Sequence, residues 1–456
     1  MKAFDVIIIG FGKGGKTLAA ECAKQNKTVA VIERSPQMYG GTCINIGCIP
    51  TKTLVHQAKL ASEMQMNSFA EKQAFYANAI QVKESVVETL RNKNYHNLAD
   101  NPNITVFNGV GSFVSPEVVR VSNLDGEVLL QSDIIIIDTG AETIIPPING
   151  IIDNPFVYTS TSIMELKQLP KQLIIVGGGY IGLEFASIYA SFGSKVTVLE
   201  GYPELIPRED RDIAAAVKSS LEKKGVIFRM NARVQSITHT EKEATVTYLD
   251  TETNESFTLL SDAVLLATGR KPNTQDLNLQ AAGVMVDDRG AIKVDDHLRT
   301  TQPNIWAVGD VKGGLQFTYI SLDDYRIIRD YLFGDHARKA SDRNPVSYSV
   351  FIDPPLSHIG LNETEAIRQN KNIRIKTVPV TAIPRAKTLG ETEGLLKAVI
   401  DSETNKILGC TLFAPESSEV INFVALAMKQ DVDASYIRDF IFTHPSMSEA
   451  LNDLFN

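Results

Sequence analysis

Two of the chain's 4 cysteines lie close together, Cys43 and Cys48 in the run Gly40-Gly41-Thr42-Cys43-Ile44-Asn45-Ile46-Gly47-Cys48-Ile49-Pro50-Thr51-Lys52. At the first turns of a helix this spacing lets two thiols reach disulfide distance. A helix N-terminus also lowers a thiol's pKa and favours the thiolate, the form that attacks. Such a pair serves redox chemistry or half of a structural zinc site. No second Cys/His pair at zinc spacing accompanies it, so the redox reading is preferred and no metal site is expected. Cys22 falls in a helical pattern and Cys410 in a strand-like run, and both are expected to be buried, inert thiols.

The elements around the pair can hold dinucleotides. An apolar strand over 4–9 leads into Gly10-Phe11-Gly12-Lys13-Gly14-Gly15, then a helix to about 23 and a second strand over 28–32 ending at Glu33. This is a β-α-β unit with G-x-G-x-x-G at its turn: Gly10, Gly12 and Gly15 let backbone amides approach a pyrophosphate, and Glu33 can bond a ribose diol. The pattern returns as a strand over 173–176, Gly177-Gly178-Gly179-Tyr180-Ile181-Gly182, a helix, and a strand over 195–199 ending at Glu200. Two units imply two dinucleotides, and a flavin with a nicotinamide is the usual pairing for electron transfer. Glu200 would accept from ribose hydroxyls and repel a 2′-phosphate, which favours NADH over NADPH. Arg208 is the nearby cation that could fold back.

Two strands end in Thr-Gly, at Thr139-Gly140 and Thr268-Gly269, and read as crossings between the units. The expected division is an FAD-binding domain over 1–146 and 268–335, an NAD(P)H-binding domain over 147–267, and a C-terminal α+β domain over 336–456. Thr139 and Gly140 are assigned to the flavin site, and Gly177, Gly179, Tyr180, Ile181, Gly182, Glu200 and Gly269 to the nicotinamide site.

A formal net charge of −9 argues against nucleic acid or an anionic membrane as partner. The apolar run at 6–9 is too short for a signal or a membrane span. A cytoplasmic protein is expected.

The cysteine run, the paired glycine units and the C-terminal Phe442-Thr443-His444-Pro445-Ser446-Met447-Ser448-Glu449 together resemble the pyridine nucleotide-disulfide oxidoreductases. This is the family of glutathione reductase, dihydrolipoamide dehydrogenase and mercuric reductase, and the likeness covers essentially the whole chain. It implies an α/β fold of two Rossmann-like domains, one for FAD and one for NAD, with a C-terminal dimerisation domain. It further implies Cys43 as the interchange thiol and Cys48 as the thiol beside the flavin. Lys52 would lie near the flavin paired with Glu184, and Tyr180 would cover the nicotinamide side. Gly41 and Thr42 belong to the flavin site. Thr301-Gln302-Pro303-Asn304-Ile305-Trp306-Ala307-Val308-Gly309-Asp310 resembles the second FAD motif, with Gly309 and Asp310 at the cofactor. His444, oriented by Glu449, would act as acid-base on the partner subunit's Cys43, making the catalytic unit a homodimer. His56 is read as structural.

Departures from familiar members narrow the group. No cysteine follows Cys410, Phe442 and Ser446 replace the usual flanks of the histidine motif, and arginines that favour NADPH are missing. Met38-Tyr39-Gly40, the stretch 90–100 and the stretch 314–326 are most similar to the bacterial mercuric-reductase-like flavoproteins of reactive chlorine resistance, or hypothiocyanous acid reductases. In that chemistry a reduced pair, Cys43 thiolate with Cys48 thiol, attacks the small oxidant HOSCN. The alternatives are a Cu(II) or mercuric-ion reductase, a dihydrolipoamide dehydrogenase, and a redox-sensing flavoprotein without turnover.

Overall fold

The computed structural model describes residues 1–456, which group into two compact units. The first comprises residues 1–53, 79–145 and 268–343, and the second 54–78, 146–267 and 344–456.

The first unit is built on a five-stranded parallel sheet in the order Ile305–Ala307, Ile135–Ile137, Val6–Ile9, Val29–Glu33, Ile104–Asn108. Both faces are covered, which is why these strands read as continuous apolar runs rather than alternating ones. Side chains still alternate in direction. Val6, Ile8, Val29 and Val31 pack beneath the helices Lys13–Lys24 and Thr318–Phe333 with Leu18, Ile327 and Ile328. Ile7, Ile9, Ala30 and Ile32 face the other way, against Phe113, Val119 and Leu130 of a smaller sheet. The Thr-Gly segments meet as an antiparallel ribbon, Ala141–Thr143 with Arg270–Pro272, and Thr139 Oγ donates to the Asn273 carbonyl at 2.7 Å.

The second unit repeats the parallel design, with strands ordered Val157–Thr159, Ala263–Leu266, Gln172–Val176, Lys195–Leu199, Ile227–Arg229. A three-stranded antiparallel sheet over Ala232–His239, Ala244–Asp250 and Glu255–Ser261 follows. Its C-terminal part is a five-stranded antiparallel sheet, Tyr348–Val350, Leu356–Gly360, Ile407–Phe413, Leu395–Asp401, Ile373–Pro379, covered by the helices Ser417–Lys429 and Ala450–Leu454. An ion cluster around the buried Lys397 and Asp210 ties this sheet to the nucleotide-binding part. Lys397, at its centre, lies 3.1 Å from Asp210, 3.0 Å from Asp212 and 2.6 Å from Glu363. Cys22 and Cys410 are buried as expected, and burial pushes both thiols' pKa up. No helix is long and apolar enough to cross a membrane.

Candidate active site

The cysteine run is not one helix. Thr42–Asn45 forms a single turn, the chain breaks at Ile46 and Gly47, and a second helix, Cys48–Glu63, starts at the other cysteine. Cys43 therefore sits in the first turn and Cys48 at the N-terminus of the helix proper. Gly40 and Gly41 have φ of +96° and +78°, which only glycine adopts at little cost. A Cβ on Gly41 would lie 2.7 Å from the Gly12 Cα, so the cysteine loop presses directly on the first glycine turn. Asn45 locks the loop: its amide donates to the Tyr39 and Gly41 carbonyls at 3.0 and 2.9 Å, and its oxygen accepts from Arg91 Nε at 2.8 Å.

Both residues are free thiols, hydrogen-bonded to each other. The hydrogen bond from Cys43 is the largest influence lowering Cys48, to a pKa of about 6; Thr318 and the charge of Lys52 help against the opposing effect of burial. Thr318 Oγ lies 3.4 Å from Cys48 Sγ and is the first residue of the helix Thr318–Phe333, so the sulfur faces a second helix N-terminus. Cys43 moves the other way: the hydrogen bond to Cys48, burial, and its neighbour's charge push its pKa up. Within the reduced pair the hydrogen bond shared by the two sulfurs favours the charge on Cys48, which also sits at a helix N-terminus.

The residues expected to hold the flavin lie in the same unit. Gly10 has φ +110°, and a Cβ there would strike the Asp138 carbonyl at 2.1 Å. Glu33, at the end of its strand, accepts from the amides of Phe11 and Ser35 at 3.2 and 3.1 Å, and burial raises its pKa. Asp310 is raised by burial and eased by the charges of Arg270 and Lys312. Thr42, Thr139, Gly140 and Gly309, expected at the flavin, lie in the same unit; a Cβ on Gly140 would lie 3.7 Å from Thr42 Oγ. Bare backbone at Gly12 and Gly41, with a buried acid at the adjoining strand end, fits a dinucleotide.

In the second unit, Gly182 brings helix and strand together: a Cβ there would meet the Gly177 carbonyl at 2.1 Å, whereas Gly179 has open space above it. Glu200 accepts from the Gly178 and Tyr202 amides at 2.7 and 3.0 Å. Tyr180, followed by the half-buried Ile181 on the glycine-motif helix, donates to the buried Glu209 at 2.5 Å, and Tyr348 donates to the same oxygen at 2.6 Å. Burial and then the Glu209 charge push both phenols up. Glu184 is buried and accepts from the Phe351 amide at 2.8 Å. Gly269, by contrast, belongs to the first unit, in the Thr-Gly ribbon. His444 Nδ1 lies 2.9 Å from Glu449, which fixes the ring and leaves Nε2 outward on an imidazole whose side chain is 66% exposed. His56 is exposed on its helix.

Thr318, Asn45, Arg91, Arg270, Glu209 and Tyr348 take part in the site although sequence reasoning assigns them no role; Asn45 lies in the cysteine run, and Arg91 and Thr318 lie in stretches singled out only for resemblance. Apart from Asn45, which also bonds to the nearby Tyr39 and Gly41, these residues meet partners distant in the chain, 270 residues away in the case of Thr318 and Cys48.

Residues 4–324 match the family model for pyridine nucleotide-disulphide oxidoreductases, and residues 346–455 match that family's dimerisation domain. The chain belongs to this family, whose members act on sulfur groups with FAD and NAD(P)H. It is 50% identical over 456 residues, covering 100% of this chain and 99% of the relative, to RclA of Escherichia coli (strain K12), a probable pyridine nucleotide-disulfide oxidoreductase. A solved Cu(II) complex of that protein, described as an HOCl-induced flavoprotein disulfide reductase, superposes with a TM-score of 0.94 at 50% identity, covering 100% of this chain and 99% of that one. Dihydrolipoyl dehydrogenase 1 of Arabidopsis thaliana and mercuric reductase of Bacillus cereus are each 32% identical, over 98% of this chain and 89% and 70% of theirs.

Proposed function

We propose that this chain is an NADH-preferring flavoprotein reductase of oxidant defence that converts HOSCN to thiocyanate. The observation that carries the reading is the pair of adjacent free thiols, with Cys48 at a helix N-terminus and 3.4 Å from Thr318 Oγ, where its thiolate is favoured. The likeness to a relative described as HOCl-induced supports the setting of reactive chlorine stress. Bound FAD supplies the two-electron relay between nicotinamide and cysteines, held by Gly10, Gly12, Gly15, Glu33, Gly41, Thr42, Thr139, Gly140, Gly309 and Asp310.

In the substrate step Cys43 loses its proton and its sulfur attacks the electrophilic sulfur of HOSCN. The S–O bond breaks, and the proton leaves with the hydroxide as water. The Cys48 thiolate then attacks the Cys43 sulfur, the disulfide forms and thiocyanate departs. The singly protonated dithiol and HOSCN thus give disulfide, water and thiocyanate, with no further proton needed. Because Cys43 rests as the thiol, it needs a base. The reading gives that role to His444 of the partner subunit, since Glu449 occupies Nδ1 and leaves Nε2 to act.

Exposed apolar side chains near this histidine, among them Phe423, Leu426, Phe440 and Ile441, favour a second copy of the chain as their cover. Lys52, paired with Glu184, would hold positive charge beside the flavin. Tyr180 would cover the nicotinamide site formed by Gly177, Gly179, Ile181, Gly182 and Glu200, with Glu200 selecting NADH. A cytoplasmic location and the four-part division at 146, 267 and 335 belong to the same reading.

The test is NADH oxidation by the FAD-loaded protein with HOSCN, oxidised glutathione, lipoamide and Cu(II) in parallel. The expected result is a kcat/KM for HOSCN approaching about 10⁷–10⁸ M⁻¹s⁻¹ with inert disulfides. Fast lipoamide turnover with weak HOSCN activity would overturn the substrate assignment.

A further inference from the structure

Asp138 follows the strand Ile135–Ile137, and its amide donates to the Ile9 carbonyl at 2.7 Å, which sets it against the first glycine turn. The residue is only 6% exposed. Its Oδ2 accepts from the Gly15 amide at 2.7 Å, and both carboxyl oxygens lie 2.6 Å from where a Cβ on Gly12 would stand. Its Oδ1 is 3.5 Å from the same point on Gly309. The carboxyl group therefore floors the glycine cradle and caps an amide of the helix start that the fold offers to a pyrophosphate.

The charged groups facing it come from three other elements. Asp310 follows the strand Ile305–Ala307, Asp324 belongs to the helix Thr318–Phe333, and Lys16 to the helix Lys13–Lys24. Asp324 is already engaged: it accepts from the Gly309 amide at 2.7 Å, and Lys312 and Arg343 both pair with it. Lys16 is weakened as a counter-charge, since burial lowers its own pKa to about 8. Burial first, then Asp310 and Asp324, outweigh the Gly15 bond and Lys16 and raise Asp138 to about 8. At neutral pH the group is a neutral acid. Ionised, it would put a negative charge among the amides that a pyrophosphate needs, at low dielectric.

We propose that Asp138 makes flavin retention depend on protonation, supporting FAD binding as the neutral acid and opposing it as the carboxylate. The inference rests on the family's use of FAD in this groove.

The experiment dilutes the FAD holoenzyme at pH 7 and at pH 9 and reads released FAD by its fluorescence. The apparent Kd of the wild type is expected to rise about tenfold between those pH values, as for one group titrating near pH 8. In Asp138→Asn, which keeps an acceptor for Gly15 but cannot ionise, the rise should stay below about threefold. Asp138→Ala serves as a second variant if the first does not fold. A wild-type Kd unchanged by pH, or an equal rise in the variants, would overturn the inference; the latter would assign the titration to Lys16, which all three proteins retain. Absence of FAD binding at any pH would overturn the flavin reading itself, and this inference with it.

Discussion

Replacing Thr318 by valine removes one contribution to the Cys48 thiolate and another to Cys43. Valine keeps the branched shape and removes the hydroxyl that stands 3.4 Å from the sulfur. A hydrogen bond to a charged acceptor contributes about 1.5–3 kcal/mol. The long contact to a diffuse sulfur argues for the lower end, and about 1.4 kcal/mol corresponds to one pKa unit. Cys48, now lowered to about 6, would move to about 7. At pH 7 its thiolate fraction would fall from about nine-tenths to about one half. The assay is thiolate absorbance at short ultraviolet wavelength in the reduced protein across pH, with Cys48→Ser as the blank. The sign also bears on stability. A thiol whose folded pKa lies below its unfolded value contributes stability that is present above pH 9 and lost as pH falls through about 6. The variant should lose it at higher pH than the wild type. A titration that coincides with the wild type's would refute the claim that Thr318 stabilises the thiolate, and would leave Cys43 and the helix ends as the cause.

Cys43→Ser should abolish substrate reduction while FAD stays bound, as shown by the flavin spectrum; retained turnover would sink the cysteine mechanism. His444→Ala should slow the half-reaction with substrate by about 10²–10⁴-fold, the usual share of a general acid-base. It should spare reduction by NADH, and stopped-flow measurement of the two half-reactions separates these outcomes. Lys397→Met leaves Asp210, only 3% exposed, buried without its cation. Urea denaturation should show a loss of about 3–5 kcal/mol, and an unchanged midpoint would mean that the cluster breaks even.

What was legible in the sequence was local. Both glycine turns, their flanking strands and the acid closing each unit follow from contiguous residues, and the observed strands Val29–Glu33 and Lys195–Leu199 lie within a residue or two of the expected ones. The cysteine spacing also points to its chemistry without a fold. The break between Cys43 and Cys48 was not legible, because it arises where Gly41 meets Gly12 and where Asn45 bonds back to Tyr39 and Gly41. The helix Phe69–Ala99 carries no single apolar stripe, since its buried residues Tyr76, Ala79, Ile80, Lys83, Val87 and Leu98 drift around it. The Glu209 site escapes for a third reason: Tyr180 is 29 residues away from it and Tyr348 139, and nothing in a buried glutamate announces two phenols.

On the proposed mechanism, the charge distribution of the dithiol would give a distant histidine its task. If both thiols titrated near their ordinary value, either could attack and neither would be poised. Here the same hydrogen bond that lowers Cys48 raises Cys43, so the sulfur stabilised at rest is not the one the mechanism sends to the substrate. On the proposed reading, stabilising Cys48 would keep a nucleophile ready for the second step, where it would displace thiocyanate from Cys43. The first step then requires a proton to leave Cys43, and the groups that act on the pair in its own unit (Thr318, Lys52, Lys16) are donors or cations at rest rather than bases. The proposal gives it to His444, an imidazole held by Glu449 through Nδ1 with Nε2 left free to act. On this reasoning the dimer serves proton transfer as well as stability. A monomeric variant should therefore accept electrons from NADH and fail only at the oxidant.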